Sequence, residues 1–500
     1  MLTTTIIGNK IILRTDDPSI HNFLEAEIEE GGFNFWSKKW QVQKVKKPIY
    51  EIGRGVKTQL KDGTFKYVLG LGWAAYLMNV FARYLSIDDY KDLQSAIVAE
   101  NYRDTPFNNL RDYQNSDALF LLKFKIGLFT VNTSYGKTEL ISTLANYFHG
   151  LGKKVLLVTP GSKARDELVK RCKIRFNLEA SGKIGDQLTC IITSGLLNRK
   201  DFKDEKLLKG IEKELTNYDV VLVDEVEYTI NPSGKFLYDR LTGAKVFYGF
   251  SGTSDKYSAQ ALTFNNGLSE DIIRNKDLIS YFGPTLIYRM PLNIKVDSIS
   301  IRTESLNHLK FTESDFSQDQ NIYMTVMNKI WTSDEVCKDI VKIAEHYPKM
   351  FIPINNLTEI INTWIDKYFL KKFRILLVCG EGYIYYDKKG NRSSLTLEEA
   401  CDYIKNDLVD VIPSTSAGYR ALDFPNLENI LLIQGNRAGV TLQAVGRVAR
   451  GTHMNIISLE PAFPAKIPIY SKGAEGRDEM IKGYYKYCEI NDITANIGSL

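Results

Sequence analysis

Gly127-Leu-Phe-Thr-Val-Asn-Thr-Ser-Tyr-Gly-Lys-Thr138 is the stretch that decides the fold. Its first half, up to Val131, is too apolar to alternate and reads as a strand buried on both faces. Beyond the Gly-Lys-Thr turn, Leu140, Ile141, Leu144, Ala145 and Phe148 recur on one helical face, and Gly150 and Gly152 end the helix. A strand that turns through Gly-Lys-Thr into a helix is a phosphate cradle. Backbone N–H groups at the helix start carry partial positive charge, Lys137 can reach β- and γ-phosphates, and the Thr138 hydroxyl can ligate Mg²⁺. Thr133, Ser134, Tyr135 and Gly136 are the expected loop around the nucleotide. Val131 stands where the full phosphate-loop pattern has glycine, so the match is incomplete at that end.

The same pattern continues downstream. Val155-Leu-Leu-Val158, Cys190-Ile-Ile-Thr193, Val220-Val-Leu-Val223 and Val246-Phe-Tyr-Gly249 alternate with amphipathic stretches. After residue 345 come Met350-Phe-Ile-Pro353, Ile375-Leu-Leu-Val378, Val409-Asp-Val-Ile412, Ile430-Leu-Leu-Ile433 and Ile456-Ile-Ser-Leu459. Buried-type strands separated by helices imply parallel sheets covered on both faces, so the expected fold class is α/β with two tandem lobes. The expected boundaries are a small basic α+β domain over 1–90, a polar linker over 91–110 and a first lobe over 111–295. A connection over 296–345, a second lobe over 346–475 and a tail over 476–500 complete the chain.

Two more segments bear chemistry. Val221-Leu-Val-Asp-Glu225 is an apolar strand ending in two carboxylates. A nucleotide hydrolase needs such a pair there, Asp224 to hold Mg²⁺ and Glu225 to orient the attacking water. Gln443-Ala-Val-Gly-Arg-Val-Ala-Arg450 sets Arg447 and Arg450 on one helical face. Planar guanidinium groups from a second lobe, reaching a bound nucleotide, stabilise charge on a transferring γ-phosphoryl.

In this order the motifs resemble those of superfamily 2 helicases, most closely the UvsW-type recombination helicases of phages, over residues 111 to about 455. The resemblance implies two RecA-like lobes, with ATP and Mg²⁺ as ligands. It makes Tyr113-Gln114 the aromatic-glutamine pair that reads adenine, and Asp423 a contact to the ATP ribose. Ser251, Gly252 and Thr253 match the element that couples hydrolysis to strand movement, and Gln443 belongs to the same coupling set. Thr159-Pro160, Thr193-Ser194 and Ser416 match positions that touch the nucleic-acid backbone. Glu227 replaces the usual histidine after the acidic pair, and Ala421 a usual glycine, which leaves coupling less well defined than hydrolysis.

Composition narrows the remainder. The 500 residues carry 64 basic and 60 acidic side chains, a net charge of +4 that names no partner. Residues 33–67 hold nine basic residues against two acidic ones, net +7, with Lys38, Lys39, Lys44, Lys46 and Lys47 at the centre. Those lysines read as a phosphate-facing surface, and the interleaved aromatics Phe35, Trp36, Trp40, Tyr50 and Phe65 as the core beneath it. The six cysteines form no CxxC pair and the five histidines no HExxH, which excludes a zinc motif and fits reduced thiols in a cytoplasm, a host's if the source is viral. No apolar run approaches the roughly 18 residues of a membrane span. The expectation is a monomeric, nucleic-acid-stimulated ATPase that unwinds or branch-migrates branched DNA or R-loops in recombination, repair or replication. Single-stranded DNA, duplex DNA and RNA–DNA hybrid are its candidate partners. The alternatives are a double-strand translocase that separates no strands, and a degenerate ATPase acting as a DNA-binding scaffold.

Overall fold

The amino-terminal segment alternates as a half-buried hairpin should, with Leu2, Ile11 and Leu13 inside and their neighbours outside. Strands β1 (Leu2–Ile7), β2 (Lys10–Thr15), β5 (Val56–Gln59) and β6 (Phe65–Gly70) form an antiparallel sheet in the order β1-β2-β6-β5. Between them β3 (Glu27–Glu30) and β4 (Val45–Pro48) make a separate antiparallel ribbon. The computed structural model describes residues 2–25, 27–30, 45–48, 56–100, 103–131, 135–252, 276–289, 294–310, 329–354, 364–379, 382–415, 427–433, 444–446, 448, 452–463, 477–478, 481–485 and 487–500. The chain forms two compact units, the first ending at Arg289.

The amino-terminal sheet belongs to the first unit and shares its core. Trp73 and Leu69 are buried in one cluster with Phe247, Ile279 and Phe282. The Trp73 indole N–H donates to Ser280 Oγ at 2.7 Å, and the Asn9 amide donates to the Tyr238 carbonyl at 3.0 Å. Residues 1–90 are therefore not a separate body, as the sequence suggested. The span taken as a linker also differs, because it begins inside the helix Ile87–Ile97. That helix is capped by Ser86, with Asp88 and Asp89 in its first turn, and buries Leu93 and Ile97.

Six parallel strands build the α/β part of the first unit: β7 (Ile126–Val131), β8 (Val155–Thr159), β9 (Leu188–Ile192), β10 (Val220–Val223), β11 (Val246–Ser251) and β12 (Thr285–Arg289). Their order is β12-β7-β11-β10-β8-β9. β7, β8 and β10 are buried along their whole length, which is why they read as uninterrupted apolar runs.

The second unit holds a nine-stranded mixed sheet in the order β17-β16-β15-β18-β14-β19-β20-β13-β21. Its strands are β13 (Lys295–Thr303), β14 (Met350–Ile354), β15 (Ile375–Cys379), β16 (Gly382–Tyr386), β17 (Arg392–Leu395), β18 (Val411–Thr415), β19 (Asn429–Leu432), β20 (His453–Pro461) and β21 (Glu489–Asn496). β16 pairs antiparallel with both β15 and β17, and the other pairs are parallel. The span 296–345, expected to be a connection, supplies the interior strand β13 and the helix Asp334–His346, whose Val336, Cys337, Ile340 and Ile343 are buried. The expected tail supplies the edge strand β21. The fold class is nonetheless the one read from the sequence: two tandem parallel-sheet α/β lobes with a small α+β sheet at the amino terminus. Among the described residues, no helix is long and apolar enough to cross a membrane, and all six cysteines are free thiols.

Candidate functional site

Parallel strands deliver their carboxyl ends to one edge of a sheet, and there the first unit gathers its chemistry. The helix Lys137–Gly150 starts beyond β7, Asp224 and Glu225 follow β10, and Ser251 with Gly252 closes β11 between them, both buried. Lys137 Nζ donates to Glu225 Oε1 at 2.6 Å and lies 3.9 Å from Asp224 Oδ1. Asp224 is held by its neighbours, its N–H donating to the Val158 carbonyl at 2.9 Å and its Oδ1 accepting the Glu225 N–H at 2.9 Å. Glu225 adopts φ 47° and ψ 53°, a left-handed conformation that costs a β-carbon-bearing residue of order 1–3 kcal/mol and persists only where the surrounding structure over-determines the backbone.

The charges do not balance. Burial alone would lower the Lys137 ammonium, but Glu225, Asp224 and Glu227 together hold it above its ordinary value. Asp224 moves the other way: burial pushes it up to about 7, against the pull of Lys137 and with Glu225 and Glu167 adding repulsion. One ammonium thus faces a surplus of carboxylate. A hard divalent cation fits such a donor set, held by one or two carboxylates and shared with phosphate oxygens. Asp224 and the half-buried Thr138, one residue into the helix, are the residues that could hold it.

Gly136 caps the helix at φ 90° and ψ 41°, and a Cβ there would meet Gln114 Nε2 at 2.7 Å. Gln114 is buried and its amide is fully used: Nε2 donates to the Tyr135 carbonyl at 2.8 Å and the Gly136 carbonyl at 3.4 Å, and Oε1 accepts the Arg111 N–H at 3.0 Å. The glutamine expected to read adenine here ties the loop to the helix Asp112–Leu121. Tyr113 is exposed beside it, its ring 5.2 Å from that of Tyr135 in an edge-on arrangement. Tyr135, expected to line the nucleotide, points its phenol inward to Asp117 Oδ2 at 2.8 Å. Asp117 also takes a two-pronged contact from Arg289. Asp117, Arg289 and Glu167 were missed by motif reading, because each sits in ordinary helix or strand sequence and acquires its partners only through the fold.

Thr159-Pro160 and Thr193-Ser194 come together at adjacent strand ends, where the Thr193 N–H donates to the Thr159 carbonyl at 3.0 Å and the Ser194 N–H to the Pro160 carbonyl at 3.2 Å. Both threonines are buried. Thr159 Oγ1 donates to the Gly161 and Ile191 carbonyls, and Thr193 Oγ1 accepts the Asn231 amide. Ser194 is exposed. In the amino-terminal part, Lys57 pairs with Glu25 at 2.9 Å and Phe65 stacks on His21 at 4.1 Å, so both serve the local fold. Lys46 and Lys47 lie on β4 opposite Glu29 and Ile28. Thr133, Ser134, Thr253, Ser416, Asp423, Gln443, Arg447, Arg450, Lys38, Lys39 and Lys44 lie outside the described residues. Their neighbours Ala444, Val445 and Val448 are buried in the second unit's core.

No family model matches the chain, and no curated protein matches it. Solved structures resemble it in fold, the following at low identity. UvsW of bacteriophage T4 is 14% identical, with 99% of each chain covered and a TM-score of 0.37. Dbp5 of S. cerevisiae, in a structure with RNA and ADP BeF3, is 11% identical over 76% of this chain and 89% of that one, with a TM-score of 0.46. The helicase Lhr of Mycobacterium smegmatis, bound to ssDNA and AMP-PNP, is 14% identical over 76% of this chain and 49% of that one, with a TM-score of 0.43. The likeness is one of fold.

Proposed function

We propose that this chain is an ATP-dependent superfamily 2 motor on nucleic acid, a helicase that unwinds or branch-migrates branched DNA or R-loops. The observation that supports it most is the meeting of Lys137 with Asp224 and Glu225 at 3.9 and 2.6 Å, on elements far apart in sequence and separated by β11. Residues brought together from a glycine-ended loop and a strand-end acidic pair suit binding and hydrolysis of a nucleoside triphosphate. The branched-DNA substrate rests on the motif resemblance.

In this reading the helix start and Lys137 bind β- and γ-phosphates, Thr138 and Asp224 hold Mg²⁺, and Glu225 orients the attacking water. Mg²⁺ supplies charge neutralisation on the phosphate oxygens. Lys137 leaves Glu225 for the phosphates, which frees the carboxylate to accept a hydrogen bond from water. Arg447 and Arg450 are assigned to the charge that develops on the γ-phosphoryl, from their spacing. Ser194 and the lysines of residues 38–47 are assigned to phosphates of the nucleic acid, contacts that fix position without reading sequence.

ATP hydrolysis by the full chain should be stimulated by nucleic acid and lost in Lys137→Ala. Measured on single strand, duplex, fork, four-way junction and RNA–DNA hybrid, the rates name the substrate, and fork unwinding against triplex displacement separates helicase from translocase. Equal background rates in wild type and Lys137→Ala would leave a DNA-binding scaffold instead.

A further inference from the structure

Asp117 lies inside the helix Asp112–Leu121 and is buried, and its carboxylate holds three donors. Oδ2 accepts the Tyr135 phenol at 2.8 Å and Arg289 Nε at 2.6 Å, and Oδ1 accepts Arg289 Nη2 at 2.5 Å. Tyr135 immediately precedes Gly136, whose left-handed turn starts the phosphate-loop helix. Arg289 ends β12 and pairs in register with Val131, the last strand residue before the loop. The contacts therefore grip the loop at both ends: its exit through the Tyr135 side chain, its entry through the pairing of β12 with β7.

We propose that Asp117 and Arg289 are positioning residues that clasp the phosphate loop through Tyr135 and so set the affinity for nucleotide. This rests on the nucleotide-site reading above. Planar two-pronged pairing of guanidinium with carboxylate fixes direction as well as distance, and burial of Asp117 keeps water from competing. Tyr135 is itself buried against Phe129, at 5.2 Å between rings, so a shift of its phenol carries the backbone with it. The carbonyls of Tyr135 and Gly136 are already anchored by Gln114. The clasp adds the missing side-chain restraint, and a loop ordered in advance loses less freedom when it receives phosphates. As positioning residues they act through Tyr135, so the chemical step should be left alone and binding should carry the effect.

The test compares wild type, Lys137→Ala, Asp117→Asn, Arg289→Gln, Tyr135→Phe and the double variant Asp117→Asn/Arg289→Gln. Binding of a fluorescent ATP analogue and steady-state hydrolysis are measured well below each variant's melting temperature. Expected is a Kd and KM raised about tenfold in Asp117→Asn and Arg289→Gln, with kcat within about threefold of wild type. The double variant should bind no worse than the weaker single variant, because one clasp is lost only once. Arg289→Lys, which keeps charge but not the fork, should recover only part of the affinity. Tyr135→Phe, which changes one hydroxyl, serves if Asp117→Asn does not fold, and should weaken binding. Variants that bind within twofold of wild type while Lys137→Ala loses binding overturn the clasp and leave the nucleotide site standing. Wild type that binds no ATP analogue overturns both.

Discussion

The Lys137 ammonium is closed onto Glu225 Oε1 at 2.6 Å, nearer than to Asp224 Oδ1 at 3.9 Å. In a nucleotide hydrolase these partners have separate tasks, the lysine on phosphate and the glutamate on water. On the proposed reading, their contact is a resting arrangement that phosphate breaks. Glu225→Gln removes the charge that holds Lys137 and keeps the shape. Nucleotide affinity should rise several-fold, while hydrolysis falls about 100-fold or more for want of a base to orient water. Equilibrium titration with an ATP analogue and single-turnover hydrolysis read the two effects separately. Wild-type hydrolysis in this variant would remove Glu225 from the chemistry.

Asp224 makes the site sensitive to pH near neutrality. Burial first, then repulsion from Glu225 and Glu167, pushes its carboxyl up to about 7 against the pull of Lys137. If Asp224 holds Mg²⁺ as proposed, the ion displaces that proton, so below about pH 7 its affinity should fall about tenfold per pH unit and binding should release up to one proton. The sign for stability is opposite. With the folded value raised above the unfolded one, the folded state binds the proton more readily between about 3.8 and 7, so this contribution is fully present at low pH and is lost as pH rises through about 7. Mg²⁺ titration calorimetry in buffers of different ionisation heat, with Asp224→Asn as the flat control, measures the first. Melting of wild type against Asp224→Asn from pH 5 to 8, without Mg²⁺, measures the second.

Gly136 is required for two reasons at once. Its φ of 90° belongs to the left-handed side of backbone space, and a Cβ would stand 2.7 Å from Gln114 Nε2. Gly136→Ala should cost the loop conformation about 1–2 kcal/mol, a loss of roughly 5- to 30-fold in nucleotide affinity. Gln114→Ala in the same chain should not restore binding, because it relieves the contact but leaves the dihedral strained and frees the loop carbonyls. Affinity equal to wild type in Gly136→Ala would mean that the nucleotide-bound loop does not use this turn.

What was legible in the sequence was what local pattern encodes. β7, β8 and β10 announced themselves because strands buried on both faces cannot hide their composition, and Lys137, Asp224 and Glu225 could be assigned by their places at strand ends. β13 was misread as connection because its buried Val296, Ile299 and Ile301 are interspersed with Asp297, Ser298 and Ser300, a half-covered pattern unlike that of the fully buried β14, β15 and β18. Asp117 and Arg289 gave no local signal, since nothing near either one marks a partner 172 residues away. Gln114 shows the converse case. Its side chain was expected at adenine, and the loop carbonyls that hold it in this structure are defined only in three dimensions.

The amino-terminal sheet makes the same point and can be tested by one methyl group. Gly72 lies against the first lobe so closely that a Cβ would fall 1.6 Å from the Ile279 carbonyl oxygen and 2.6 Å from the Gly283 nitrogen. Backbone on both sides leaves no flexible side chain to yield. Next to it, Trp73 is buried and donates to Ser280. Gly72→Ala must therefore push the sheet off the lobe, at a cost of about 1–3 kcal/mol or more. Since Leu2, Ile11 and Trp73 share one core with Phe247 and Phe282, the sheet and the first lobe should unfold together, in a single transition at a lower temperature. A wild-type melt in which residues 1–90 come apart first, read by exchange of the β1–β2 amides, would mean that the shared core does not bind them. An independent DNA-binding module would then again be the better description of that segment.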